Sequence, residues 1–121
     1  MDYSKLSDQE VNAVVAKKIG IQFDEEGPCI FDSSNIDSPY SDGEPVRFSF
    51  DPCNNPADAW PIIVNNKISV YAVGDDDRRG KWGAEGFKAD APYHFDDNPL
   101  RAAMICFLKM QESANVQDNP A

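Results

Sequence analysis

The sequence predicts a single α+β domain, with an N-terminal and a C-terminal helix packed on a small, mainly antiparallel sheet of three or four strands. Three observations predict it. A capped amphipathic segment opens the chain, a second capped and more apolar segment closes it, and short alternating segments lie between. The domain is expected to span residues 1–112, with a flexible tail over residues 113–121.

Ser7-Asp8-Gln9-Glu10 has the S-x-x-E form of a capping box, and Leu6 and Val11 are spaced for a hydrophobic staple. Asp8 and Glu10 sit at the positive end of the helix dipole, Lys17 and Lys18 at the negative end. Val11, Val14, Val15 and Ile19 recur at helical spacing, and Gly20 is the natural stop. These signals predict a helix from Asp8 to Ile19.

From Ile21 to Glu44 the chain reads as mostly irregular, with short strands at Ile21–Phe23 and Cys29–Phe31. The run from Ser33 to Gly43 is turn chemistry throughout, a candidate mobile loop. Val46, Phe48 and Phe50 alternate on one face of a half-buried strand that Pro52 ends. Asn55-Pro56 reads as N-cap and N1 of a short helical turn through Trp60. Pro61 interrupts or restarts it, and Ile62–Val64 reads as a second turn ended by Asn65-Asn66.

Ile68–Val73 is a β-rich run, Gly74–Gly80 a polar loop, and Lys81–Glu85 the return strand of a hairpin. Gly86 to Asp97 reads as irregular. Asn98 and Pro99 then cap a helix whose stripe is Leu100, Ala103, Met104, Phe107 and Leu108. Ala102, Ile105, Cys106 and Met110 widen that stripe, so the helix packs on two sides, or on the core and a partner. The breadth of this surface makes a homodimer an expectation to test.

A chain of 121 residues fits one domain and buries roughly two-thirds of its unfolded surface. The formal net charge of -10 argues against direct binding to nucleic acid, where Lys and Arg neutralise phosphates. It argues equally against an anionic membrane surface. It suits a basic partner, and it also keeps a cytoplasmic protein soluble. Cys29, Cys53 and Cys106 are odd in number and lack CxxC spacing, so reduced thiols are expected. No signal-peptide pattern and no membrane-spanning apolar run is visible. The expected location is the cytoplasm.

Four patches carry a family resemblance. They are Met1–Asp8 with the capped helix, Asp51–Ile63 with Asn66–Ser69, Trp82-Gly83-Ala84, and Asn98–Met104. Together they resemble the NinX-like family of small bacteriophage and prophage proteins. What the resemblance implies is a phage accessory protein in a host bacterial cell. It brings no activity, cofactor, substrate or catalytic residue to these positions.

The residues themselves offer little catalytic chemistry. His94 is the lone histidine, so any Ser-His-Asp or Cys-His system would need it, and no nucleophile elbow lies near it. Zinc from Cys29, Cys53, Cys106 and His94 has the wrong spacing for known modules. Asp75-Asp76-Asp77 reads as a solvated hairpin tip with Arg78 and Arg79 as counter-charge. No cofactor or metal is expected.

Trp60 is the residue to single out, because a capped turn and Pro61 hold its backbone stiffly. The packing reading puts its ring under the helical turn, and Trp60→Ala then lowers stability more than partner binding. The functional reading leaves the ring exposed as an interface anchor. Tyr71 and Trp82 would flank it across a hairpin, with Arg47, Arg78 or Arg79 placed to stack a nucleotide with them. Asn55 and Asp58 are placed to join such a binding site, although satisfying local backbone groups is the simpler role for Asn54, Asn55 and Asp58 alike.

Two functions from different classes follow. One is a non-enzymatic acidic binding module acting on a host or phage protein, in one form an inhibitor that imitates DNA against a host defence or nucleic-acid enzyme. That form needs the carboxylates on one surface, and they are spread along the chain. The other is a small-molecule or nucleotide-signal binder with a pocket of Trp60, Tyr71, Trp82 and arginine. An enzyme would need a site the sequence does not display.

Overall fold

The computed structural model describes residues 2–34, 36–40 and 42–117. Three helices, α1 (Asp8–Ile19), α2 (Pro56–Asn65) and α3 (Pro99–Gln117), pack on six short strands. The strands are β1 (Phe23–Asp24), β2 (Gly27–Asp32), β3 (Val46–Ser49), β4 (Ser69–Ala72), β5 (Trp82–Glu85) and β6 (Tyr93–Asp96). They form two three-stranded antiparallel sheets, β1-β2-β3 and β4-β5-β6. The α+β class therefore holds, with the strands divided between two sheets where one was expected.

α1 forms as its local signals dictate. The Ser7 hydroxyl accepts from the Glu10 amide, and the Glu10 carboxylate accepts from the Ser7 amide, both at 3.1 Å. Val11 and Val15 are fully buried, Val14 is half-buried, and Ile19 at the C-terminal end lies outside the core. Gly20 takes the left-handed conformation at φ +81 and closes the helix. A 3-10 turn at Tyr3–Lys5 precedes it, and the Tyr3 hydroxyl donates 2.6 Å to Glu112 Oε1 on α3.

α3 is the centre of the molecule. Residues 102–108 are all buried, with β4-β5-β6 against one side and α1 and α2 against the other. Its all-round apolarity is thus spent within one chain, and it no longer argues for a second copy. Met104, Ile105 and Leu108 are fully buried, each contributing about 1.5–3 kcal/mol. α3 also runs on to Gln117, so the helix passes the expected boundary at Ser113; residues 118–121 lie outside the described part.

α2 is one continuous helix rather than two turns. Pro61 lies inside it and removes a single ladder bond, to Ala57, on a side that water reaches. Its C-terminus is a Schellman motif: the Lys67 amide donates to the Val64 carbonyl and the Ile68 amide to the Ile63 carbonyl, at 3.3 and 3.0 Å. Lys67 takes the left-handed position, φ +53, that glycine usually fills.

The β1-β2-β3 sheet is anchored at one end by buried Cys29 and Phe50. The half-buried expectation for Val46 and Phe48 fails, since both are more than half exposed. α1 meets this sheet at β2, while α3 lies on the other sheet. In β4-β5-β6 the central strand turns Ala84 inward to α3 and Gly83 outward. β6 falls in a stretch expected to be irregular. The Tyr71 ring lies over Gly83, where an added Cβ would sit 2.6 Å from it.

Candidate functional site

Three of the four signature patches meet at one polar hub. Asn54 Nδ2 donates to Asp8 Oδ2 at 3.2 Å, joining the central motif to the first turn of α1. Asn12 Nδ2 donates 2.6 Å to Asp51 Oδ1, and Asn12 Oδ1 accepts from the Cys53 amide at 3.1 Å. Asn98 caps α3 by accepting from the Leu100 amide, and its Nδ2 donates 2.7 Å to the Cys53 carbonyl. The N-termini of α1, α2 and α3 are tied together this way.

Arg101 closes the hub. Its Nε donates 3.0 Å to Asp96 Oδ2, its Nη1 2.9 Å to Asp8 Oδ1, and its Nη2 2.6 Å to the Leu6 carbonyl. The side chain is only 11% exposed. A low-dielectric guanidinium with several acceptors is a structural clamp. Every polar group named in the hub is engaged by another part of the fold. The sequence singles out neither Arg101 nor Asn12, because Asp8, Asp51 and Cys53, their partners, are remote in sequence, whereas Asp96 lies five positions before Arg101 and reads from sequence as negative charge placed at a helix N-terminus.

The expected aromatic site does not assemble. Tyr71 pairs with Gly83 and Ala72 with Trp82, so Tyr71 and Trp82 point to opposite faces of one sheet. Tyr71 instead meets Phe95 edge-on at 6.4 Å, and Phe95 meets Tyr93 at 5.8 Å. Arg79 stacks 4.1 Å over Phe95 and is held by Asp77, while Arg78 is exposed. Trp60 has no ring partner among the described residues.

Trp60 itself overturns the packing reading. It is 63% exposed, with Val64 beside it one turn along α2 and half exposed too. Ala59, Ile62 and Ile63 form the buried stripe of α2, and helical phase then forces position 60 outward. Asn55 and Asp58 do the local work expected of them. Asn55 accepts from the Ala57 amide, and Asp58 Oδ2 accepts from the Asp51 amide at 2.9 Å.

The titratable candidates point inward. His94 faces α3 beside Ala84, and its Nε2 is buried without a hydrogen-bond partner. Burial, then Lys109, lowers its pKa to about 4. Cys29, Cys53 and Cys106 are buried free thiols. Burial pushes Cys53 up to about 12 and Cys106 to about 11, so neither is a ready nucleophile. Asp75 and Asp76 are exposed at the hairpin tip. Among the described residues no His, Cys, Asp and Glu side chains cluster to hold a metal ion. None of the described helices is long and apolar enough to cross a membrane.

One cleft had no signal in the sequence. Lys67, Phe87, Lys88 and Met110 line about 450 Å³ between the end of α2 and the C-terminal half of α3. Both ammonium groups approach the Phe87 ring, at 5.1 and 5.8 Å.

These features define a class: a small acidic α+β protein whose three helix N-termini are locked by an arginine–carboxylate–amide hub. The chain belongs to the NinX family of bacteriophage P22, whose model matches residues 2–111. A 2.0 Å crystal structure of a phage protein from Bacillus cereus ATCC 14579 has a similar fold, with a TM-score of 0.59. The match covers 91% of this chain and 97% of that one at 16% identity, so it carries the fold alone. No curated protein matches.

Proposed function

We propose that this phage-family protein is a non-enzymatic binding module that acts on a host or phage protein in the bacterial cytoplasm. The observation that carries the reading is Trp60, held outward on a capped helix with Val64 next to it. A tryptophan that the fold does not need inside is the side chain most often found to dominate an interface. A net charge of -10 suits a basic partner, because opposite charge accelerates and orients encounter. An inhibitor that imitates DNA against a basic host enzyme is one form of this function. The small-molecule reading loses its proposed pocket, since Tyr71 and Trp82 lie on opposite sheet faces.

The test is affinity purification of tagged wild-type and Trp60→Ala protein from infected cells, with mass spectrometry of what co-purifies. The variant should keep its fold, losing less than about 1 kcal/mol because the ring is exposed. It should recover at least about tenfold less of the partner. A variant that captures the partner in full would remove α2 from the interface. A wild-type protein that brings down nothing would sink the reading.

A further inference from the structure

The β1-β2-β3 sheet has an apolar outer strip that folding does not account for. Register places Phe23, Ile30, Phe48 and Val46 on one face, running across all three strands. Their exposure ranges from 42% to 53%. A sheet face left to water ordinarily carries polar residues. At the end of this strip Asp32 pairs with Val46, and both line a cleft of about 550 Å³ with Asp42, Glu44, Ile36 and Tyr40.

The charge around the strip selects its occupant. Residues 24–51 hold eight carboxylates and one cation, Arg47. Arg47 sits on the opposite sheet face, where Asp24 and Glu26 hold it. A second copy of this chain would bring the same carboxylates against these and be repelled. Nucleic acid and anionic lipid are repelled likewise.

We infer that this face docks an extended, basic and apolar segment of a partner protein. Its apolar side chains lie on Phe23, Ile30, Phe48 and Val46, and a lysine or arginine enters the cleft beside Asp32, Asp42 and Glu44. The inference rests on the reading of the chain as a protein-binding module, and gives that partner a chemistry and a second contact surface besides α2.

The probe is a short peptide of alternating leucine and lysine, titrated into the isotope-labelled full chain and followed by amide chemical shifts. Saturable shifts confined to residues 23–48 are the expected result. Phe48→Ser and the double variant Asp32→Asn, Glu44→Gln should each bind about tenfold more weakly. Both alter exposed side chains, and unchanged amide shifts in α1 and α3 certify the fold. A leucine–glutamate peptide should not bind. Shifts centred on α2, equal binding of the acidic peptide, or indifference to both variants would each overturn the docking face. A cellular partner lost by Trp60→Ala, with no peptide binding here, leaves the binding function standing and removes this face. Peptide binding here with no cellular partner does the reverse.

Discussion

Arg101 and Asp8 lie 93 positions apart in the chain and meet at 2.9 Å. The contact joins the first turn of α3 to the first turn of α1, and Asp96 and the Leu6 carbonyl share the same guanidinium. Arg101→Ala leaves Asp96 and Asp8 without their cation in a half-buried site. It should lower stability by about 3 kcal/mol. Arg101→Lys should restore only part, because a compact ammonium cannot span the acceptors that Nε, Nη1 and Nη2 of the planar guanidinium reach separately. Urea unfolding of the three proteins measures this, and a loss below about 1 kcal/mol for the alanine variant would show the hub to be dispensable.

Gly83 leaves room for the ring end of Tyr71 above it. A methyl group there would meet Tyr71 at 2.6 Å, closer than packed atoms approach. Gly83→Ala should cost about 1–3 kcal/mol through this overlap. Tyr71→Ala on that background should recover part of the loss, a non-additivity that a double-mutant cycle reads directly. Strictly additive losses would mean the ring does not press on this position.

His94 should make stability pH-dependent in one window. Its folded pKa is about 4, below the ordinary 6.5. Above 6.5 both folded and unfolded chains hold it neutral. As pH falls from 6.5 towards 4 the unfolded chain takes the proton first, so stability declines, and the loss is complete below about 4. Asp24 and Asp77, both held near 2 first by their arginine hydrogen bonds, lose their contribution only between 3.8 and 2. Urea midpoints measured across the upper window should fall for the wild type and stay flatter for His94→Leu. Equal slopes would place the pH sensitivity elsewhere.

The helix ends were legible because their chemistry is local. Ser7 with Glu10, Asn55 with Ala57, and Asn98 with Leu100 are bonds between residues two or three apart. β6 was not legible, since Tyr93–Asp96 becomes a strand only by pairing with Trp82–Glu85. The candidate site was less legible still. Tyr71 and Trp82 were expected on one surface, and a one-residue offset in register sends them to opposite faces. The packing reading of Trp60 rested on a stiff capped turn before Pro61, but the phase of α2 gives the buried side to Ala59, Ile62 and Ile63.

The sequence by itself determined where α1, α2 and α3 begin, that the domain is α+β and acidic, and which patches carry the family signature. Those properties depend on neighbours within a turn of helix or on composition. Only the tertiary structure decided that the signature patches converge on Arg101, that α3 is covered on both sides, and that Trp60, Phe48 and Val46 face water. Burial and long-range pairing belong to the assembled chain. A side chain's exposure is set by what lies across from it, and that partner is remote in sequence.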